Sequence, residues 1–166
     1  QAGVFLAVHE NFRFQKPIRE AANVIRSGAI GTPSWARISF RTGYDIYAGQ
    51  PYLLREQRFA VIDVGVHVLD VARVFLGEIE HVSAELQRRN PRVQAEDTAT
   101  MLIRHRSGAV SVVEVTYESR RLPDAFPETV VELEGPDGGL ALKPGAIMEV
   151  TTGGSMRASN VDAPVL

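Results

Sequence analysis

The chain has 166 residues, enough for about one domain with a core of its own. Hydrophobic residues make up 45% and charged residues 23%, an ordinary globular balance. A net charge of −2, with no Lys/Arg stripe, gives no electrostatic footprint for nucleic acid, and the absence of cysteine excludes disulfides and thiolate chemistry.

No apolar run reaches the roughly 18–20 residues of a membrane span, so neither a membrane nor a nucleic acid is an expected partner. The composition is compatible with the cytoplasm, the location expected here. The first residues lack Met and a basic signal region and run directly into apolar sequence. That start is expected of a chain beginning inside a longer protein.

In chain order, "VFLAVH" (4–9) reads as a short buried strand, with β-branched and aromatic members in an apolar run. "KPIREAANVIRSG" (16–28) carries a helix signature: Pro17 suits the first position, Ile18, Ala21, Ala22 and Ile25 share a face, and Gly28 marks the stop. "SWARISF" (34–40) alternates as a strand. Residues 41–57, rich in Gly, Tyr and Pro, read as a long loop that could carry function. The apolar helix that follows begins at "FAVIDVGVHVLD" (59–70).

From residue 79 the period changes to two. "EHVSAELQ", "DTATMLIRH", "AVSVVEVTYE", "ETVVELEG", "GLALKP" and "IMEVTT" are separated by turn signals, which predicts a largely antiparallel meander. The fold class expected is therefore α+β: one large, predominantly antiparallel open sheet with helices packed on one face. Residues 1–152 form the expected domain, and 153–166 read as an unpatterned tail.

The chemistry concentrates on the helix from residue 59. At about 100° per residue, Asp63, His67 and Asp70 fall in one stripe roughly 60° wide on an otherwise apolar helix. Burying such groups without partners costs several kcal/mol each, so they must meet each other, another protein group or a ligand. Gly65 in the helix interior, which costs ~1 kcal/mol relative to Ala, suggests a close approach there.

Three readings compete. The stripe is a buried Asp–His–Asp network that docks the helix, with Asp70 pairing with Arg73 one turn on. Alternatively it holds a metal through Asp and His at i, i+4, with His9 and Glu10 as the neighbours that would have to join; no further ligand cluster is evident, and no metal is expected. Or it performs acid–base chemistry, since imidazole titrates near ~6.5 and a neighbouring carboxylate orients the ring.

A second cluster lies in "HENFRF" (9–14). Asn11 and Arg13 follow the expected strand, where strand ends present ligand-binding groups; a turn-capping Asn and a surface Arg are the plainer reading. Tyr44, Tyr47 and Tyr52 in the long loop could line a pocket mouth. In "AED" (95–97) the acids read as turn or edge groups. No G-x-G-x-x-G, G-x-x-x-x-G-K-[ST], G-x-S-x-G or H-E-x-x-H is present.

Together, "ENFRFQKPIREAANVIRSGAIGTP", "DVGVHVLDVARVFLGE" and "EDTATMLIRHRSGAVSVVEV" resemble, in order and spacing, the C-terminal domain of the glucose–fructose oxidoreductase/inositol dehydrogenase (Gfo/Idh/MocA) family, from about residue 4 to 150. The resemblance implies an NAD(P)-dependent dehydrogenase acting on a sugar, polyol or related hydroxy compound. Its cofactor, NAD or NADP, would be bound by an N-terminal Rossmann domain. The family's glycine fingerprint and E-K-P lysine would lie upstream of residue 1, and this chain alone is expected to be inactive.

Asp63 and His67 match the family's D-x-x-x-H pair, with His67 as proton donor and acceptor and Asp63 beside it. Asp70 matches a recurring acid one turn on. Asn11, Arg13, Asp70 and Tyr52 are the expected substrate-binding residues, and Asn11 and Arg13 are the only ones expected to reach the cofactor. Where some members have a Gly-rich stretch before the pair, this chain has "RFAVID". A homo-oligomer through the open sheet is also implied. The competing reading is a non-catalytic oligomerisation or binding module whose stripe is structural.

Overall fold

The computed structural model describes residues 3–5 and 10–163. Most of the expected strand over 4–9 therefore lies outside the described residues, while Val4 and Phe5 are exposed and carry no regular structure. Helix α1 (Lys16–Arg26) has Pro17 in its first turn and buries Ile18 and Ala21. It ends before Gly28, whose φ of 75° is a conformation that side chains resist.

The expected loop 41–57 contains two short turns of helix. Asp45 caps α2 (Ile46–Gly49) by accepting from the amides of Tyr47 and Ala48, and Pro51–Arg55 form a 3-10 turn. A π-turn (Val61–Gly65) then leads directly into α3 (Val66–Leu76).

The strands are β1 (Trp35–Arg41), β2 (Ile79–Gln87), β3 (Thr98–His105), β4 (Val110–Thr116), β5 (Val130–Gly135), β6 (Gly138–Lys143), β7 (Ile147–Thr152) and β8 (Ser155–Asn160). They make one sheet in the order β2-β3-β4-β1-β5-β6-β7-β8. Every pairing is antiparallel except β1 with β4. The expected meander is thus interrupted, because β1 inserts between β4 and β5 and separates two consecutive strands.

Alternation in β3 shows which face is covered. Ala99, Met101, Ile103 and His105 are buried, while Thr100, Leu102 and Arg104 are exposed. The helices pack on the first face around Ile38, Phe40, Phe59, Val68, Val71 and Val113. Burying each such side chain stabilises the fold by about 1.5–3 kcal/mol before chain entropy is counted.

The expectation of an unpatterned tail from 153 is corrected at 155–160, which form β8 on the sheet edge. Gly153 and Gly154 both have positive φ, the requirement of a two-residue hairpin turn matched to strand twist. All six residues of β8 are exposed, so the strand carries no hydrophobic alternation to read. Beyond it, the Val161 amide donates to Ala146 O at 2.8 Å, and Asp162 pairs with Lys16. Among the described residues no helix is long and apolar enough to cross a membrane.

Candidate active site

The polar stripe divides at the π-turn. The Val66 amide donates to Val61 O, five residues back, so the turn holds one residue more than an α-helix would. Asp63 lies inside this turn and His67 and Asp70 lie beyond it, so straight α-helical spacing does not fix the direction of Asp63 relative to the other two. Gly65 belongs to this close winding: a Cβ there would lie 3.3 Å from Ala60 O. Glu96 secures the start of the segment, its Oε1 accepting from the amides of Phe59 at 3.1 Å and Val61 at 3.2 Å.

Asp63, His67 and Asp70 consequently have three separate partners. His67 is half-buried, and both Glu10 carboxylate oxygens approach its Nδ1, at 2.7 and 2.8 Å. A carboxylate accepts, so Nδ1 carries the proton and Nε2 is the nitrogen left for proton exchange. The Phe12 ring stacks on the imidazole, with centroids 4.4 Å apart and planes 12° apart. Glu10 also accepts from the Phe12 amide at 3.2 Å, tying the two contacts together.

Asp70, buried, takes a two-pronged ion pair from Arg13, whose Nε lies 2.5 Å from Oδ2 while a terminal nitrogen meets Oδ1. Arg73, the partner expected one turn on, is 3.9 Å from Asp70 and instead pairs with Glu78 at 2.7 Å. Asp63 accepts from the Tyr117 hydroxyl at 2.6 Å. Burial first, then Asp63 itself, push that hydroxyl well above the usual tyrosine range, so it remains a donor.

The structure therefore brings His67 to Glu10 and Phe12, and Arg13 to Asp70, while Asp63 goes to the end of β4. Among the described residues no hydrogen bond joins Asp63 to His67. Asn11 is exposed, opens the 3-10 turn Phe12–Phe14 and makes no side-chain cap. Tyr52 is exposed and donates to Gln50 at 2.6 Å, although its hydroxyl adds to the upward push at Tyr117. Tyr47 is buried and donates to Glu118 at 3.1 Å, and Tyr44 stacks on Phe126. Asp97 accepts from the amides of Arg89 and Asn90, the turn role expected of "AED".

Sequence reasoning missed Tyr117 and Phe12, and named Glu10 only as a companion in a metal site. Tyr117 lies just past a clearly alternating strand, but nothing local signals its partner 54 residues away. Among the described residues no three His, Asp or Glu side chains are grouped to hold a metal ion. A cavity of about 170 Å³ lined by Arg37, Arg41, Arg121 and Leu122 contains none of the stripe.

Comparison with known proteins places these residues in context. Residues 18–141 match the family model described as the GFO/IDH/MocA C-terminal domain. The chain is 43% identical over 165 residues to a D-apiose dehydrogenase of Rhizobium rhizogenes, covering 99% of this chain and 48% of that protein. A D-apiose dehydrogenase of Paraburkholderia graminis is also 43% identical, over 100% of this chain and 44% of its own. The chain thus spans about half the length of the curated relatives it matches.

Among solved structures, an oxidoreductase from Agrobacterium radiobacter in complex with NAD+, L-tartaric acid and magnesium superposes with a TM-score of 0.91 at 44% identity. The match covers 96% of this chain and 46% of that one. A levoglucosan dehydrogenase bound to NADH and levoglucosan superposes at 0.75 with 24% identity, covering 90% and 46%, and shares the fold.

Proposed function

Because the chain belongs to the GFO/IDH/MocA family of oxidoreductases, as its C-terminal domain, we propose that it is the substrate-binding half of an NAD(P)-dependent dehydrogenase acting on a sugar, polyol or related hydroxy compound. His67 is the proton donor and acceptor, and Asp63 is the acid beside it that meets the substrate hydroxyl. The observation that carries this reading is the held imidazole. Glu10 engages Nδ1 at 2.7 Å, Phe12 covers one ring face, and no described residue takes up Nε2. A general acid–base needs that arrangement: one nitrogen fixed, the other available, the ring prevented from turning. In oxidation Nε2 takes the proton of the substrate hydroxyl; in reduction it returns one.

There is no glycine fingerprint, and Arg13, the cation expected nearest the cofactor, is spent on Asp70. The cofactor belongs in this proposal to a preceding Rossmann domain, where it supplies or takes up the hydride. The names of the relatives support NAD and a sugar-like substrate. Besides Asp63, Asn11 and Tyr52, both exposed, are the remaining candidates for direct substrate contact.

Arg13 and Asp70 bind each other, which favours the structural reading for these two alone. Their part is to seat segment 10–14 on α3, and with it Glu10 and Phe12 on His67. Oligomerisation through the open sheet face and a cytoplasmic location complete the proposal.

The test is turnover by the longer protein with NAD+ or NADP+, followed by absorbance of the reduced nicotinamide. A panel of aldoses, polyols and hydroxy acids would include D-apiose and L-tartaric acid. Reduction with at least one compound is expected, and none across the panel with either cofactor overturns the assignment.

A further inference from the structure

We infer that Tyr117 is a positioning residue for Asp63, fixing which carboxylate oxygen a substrate hydroxyl meets; this rests on the catalytic reading of the Asp63 and His67 site. Tyr117 follows the last residue of β4 and is 7% exposed. Its ring stacks on Phe59, centroids 5.3 Å apart and planes within 5°, and meets Phe40 edge-on at 6.0 Å. Packed on two sides, the ring has no room to swing, so the core sets the place of the hydroxyl.

The acceptor is placed by the same unit. Phe59 lies four residues before Asp63, and the Asp63 amide donates to Phe59 O at 2.8 Å. Donor and acceptor are therefore both anchored through Phe59, and they meet at 2.6 Å. Tyr117 occupies Oδ2, and no described residue donates to Oδ1. Asp70 offers the contrast: Arg13 engages both of its oxygens, leaving no equivalent atom for a ligand. Of the two acids, Asp63 alone keeps an oxygen to which no described residue donates, the acceptor a substrate hydroxyl meets most readily, and Tyr117 decides which oxygen that is.

Tyr117→Phe keeps the ring packing and removes only the hydroxyl. In the longer protein its kcat is expected to fall about tenfold, with KM for the sugar changed less than about threefold and cofactor affinity unchanged. In an Asp63→Asn background the same substitution should add almost nothing, because the two residues act as one unit. Losses that simply add would overturn the inference. So would wild-type kcat in Tyr117→Phe alongside a slow Asp63→Asn, an outcome that leaves the catalytic reading standing. Wild-type rates in both Asp63→Asn and His67→Ala would remove that reading and this inference together.

Discussion

Two histidines near opposite ends of α3 show how one residue type is put to different uses. His105, at the end of β3, is fully buried and has both nitrogens engaged. Its Nδ1 lies 2.9 Å from Gly77 O, just past the end of α3, and its Nε2 lies 2.8 Å from the Ser111 hydroxyl. A carbonyl only accepts, so Nδ1–H donates and Nε2 accepts. That ring is closed to chemistry and serves as a helix-end clamp. His67, in the first turn of α3, is half-buried and, among the described residues, has only Nδ1 engaged. Leaving one nitrogen of a half-buried ring without a described partner is poor economy for stability and suits proton transfer.

The comparison can be broken by substitution. His67→Ala in the longer protein should lower kcat by about 10²–10⁴-fold, the usual worth of a general acid–base, while the unfolding midpoint moves little. A large loss of stability with kcat retained would reverse the roles assigned to the two rings. His105→Ala should do the opposite. It leaves Gly77 O and Ser111 Oγ without a partner beside a new cavity, at a cost of about 2–4 kcal/mol in urea unfolding, with kcat per folded molecule intact.

Glu10→Gln sharpens the contrast within the active ring. It keeps an oxygen for Nδ1–H but removes the charge that favours the imidazolium formed in turnover, and kcat should fall about tenfold with KM little changed. An unchanged kcat would reduce Glu10 to packing.

The smallest effect is expected on the open face of the sheet, away from both rings. Burial favours the neutral form of Glu114, but the hydrogen bonds from Arg37 and Ser39 outweigh it and hold the carboxyl below its ordinary value of 4.5. Its folded-state value lies below its unfolded one, so the stabilisation is present above pH 4.5 and is lost as pH falls through the folded value. Arg37 is 40% exposed and solvent screens the pair, so Arg37→Gln should cost only about 0.5–1 kcal/mol at pH ~7 and less in acid, read from urea midpoints. Equal costs at both pH values would remove the ion pair as the cause.

Much of this architecture was legible because its signals are local. α1 carried its own start and stop in Pro17 and Gly28, and β3 its burial in alternate residues. β8 was missed because an edge strand exposed on both faces has no hydrophobic period, although Gly153–Gly154 marked its turn. The place of β1 in the sheet was also not legible, since its parallel pairing with β4 joins residues about 75 apart.

The sequence by itself determined that Asp63, His67 and Asp70 sit on an apolar helix and that such groups need partners, a consequence of helical period and desolvation. Only the tertiary structure decided which partners these are. Asp63 lies in the π-turn, outside the regular α-helix that holds the other two, and the sheet brings Tyr117 to it. The turn before α1 delivers Glu10 and Phe12 to His67 and Arg13 to Asp70, contacts spanning 54 to 57 residues where a distance is counted along the chain. Local periodicity carries no information about such distances; they are set by how the helix packs on the sheet.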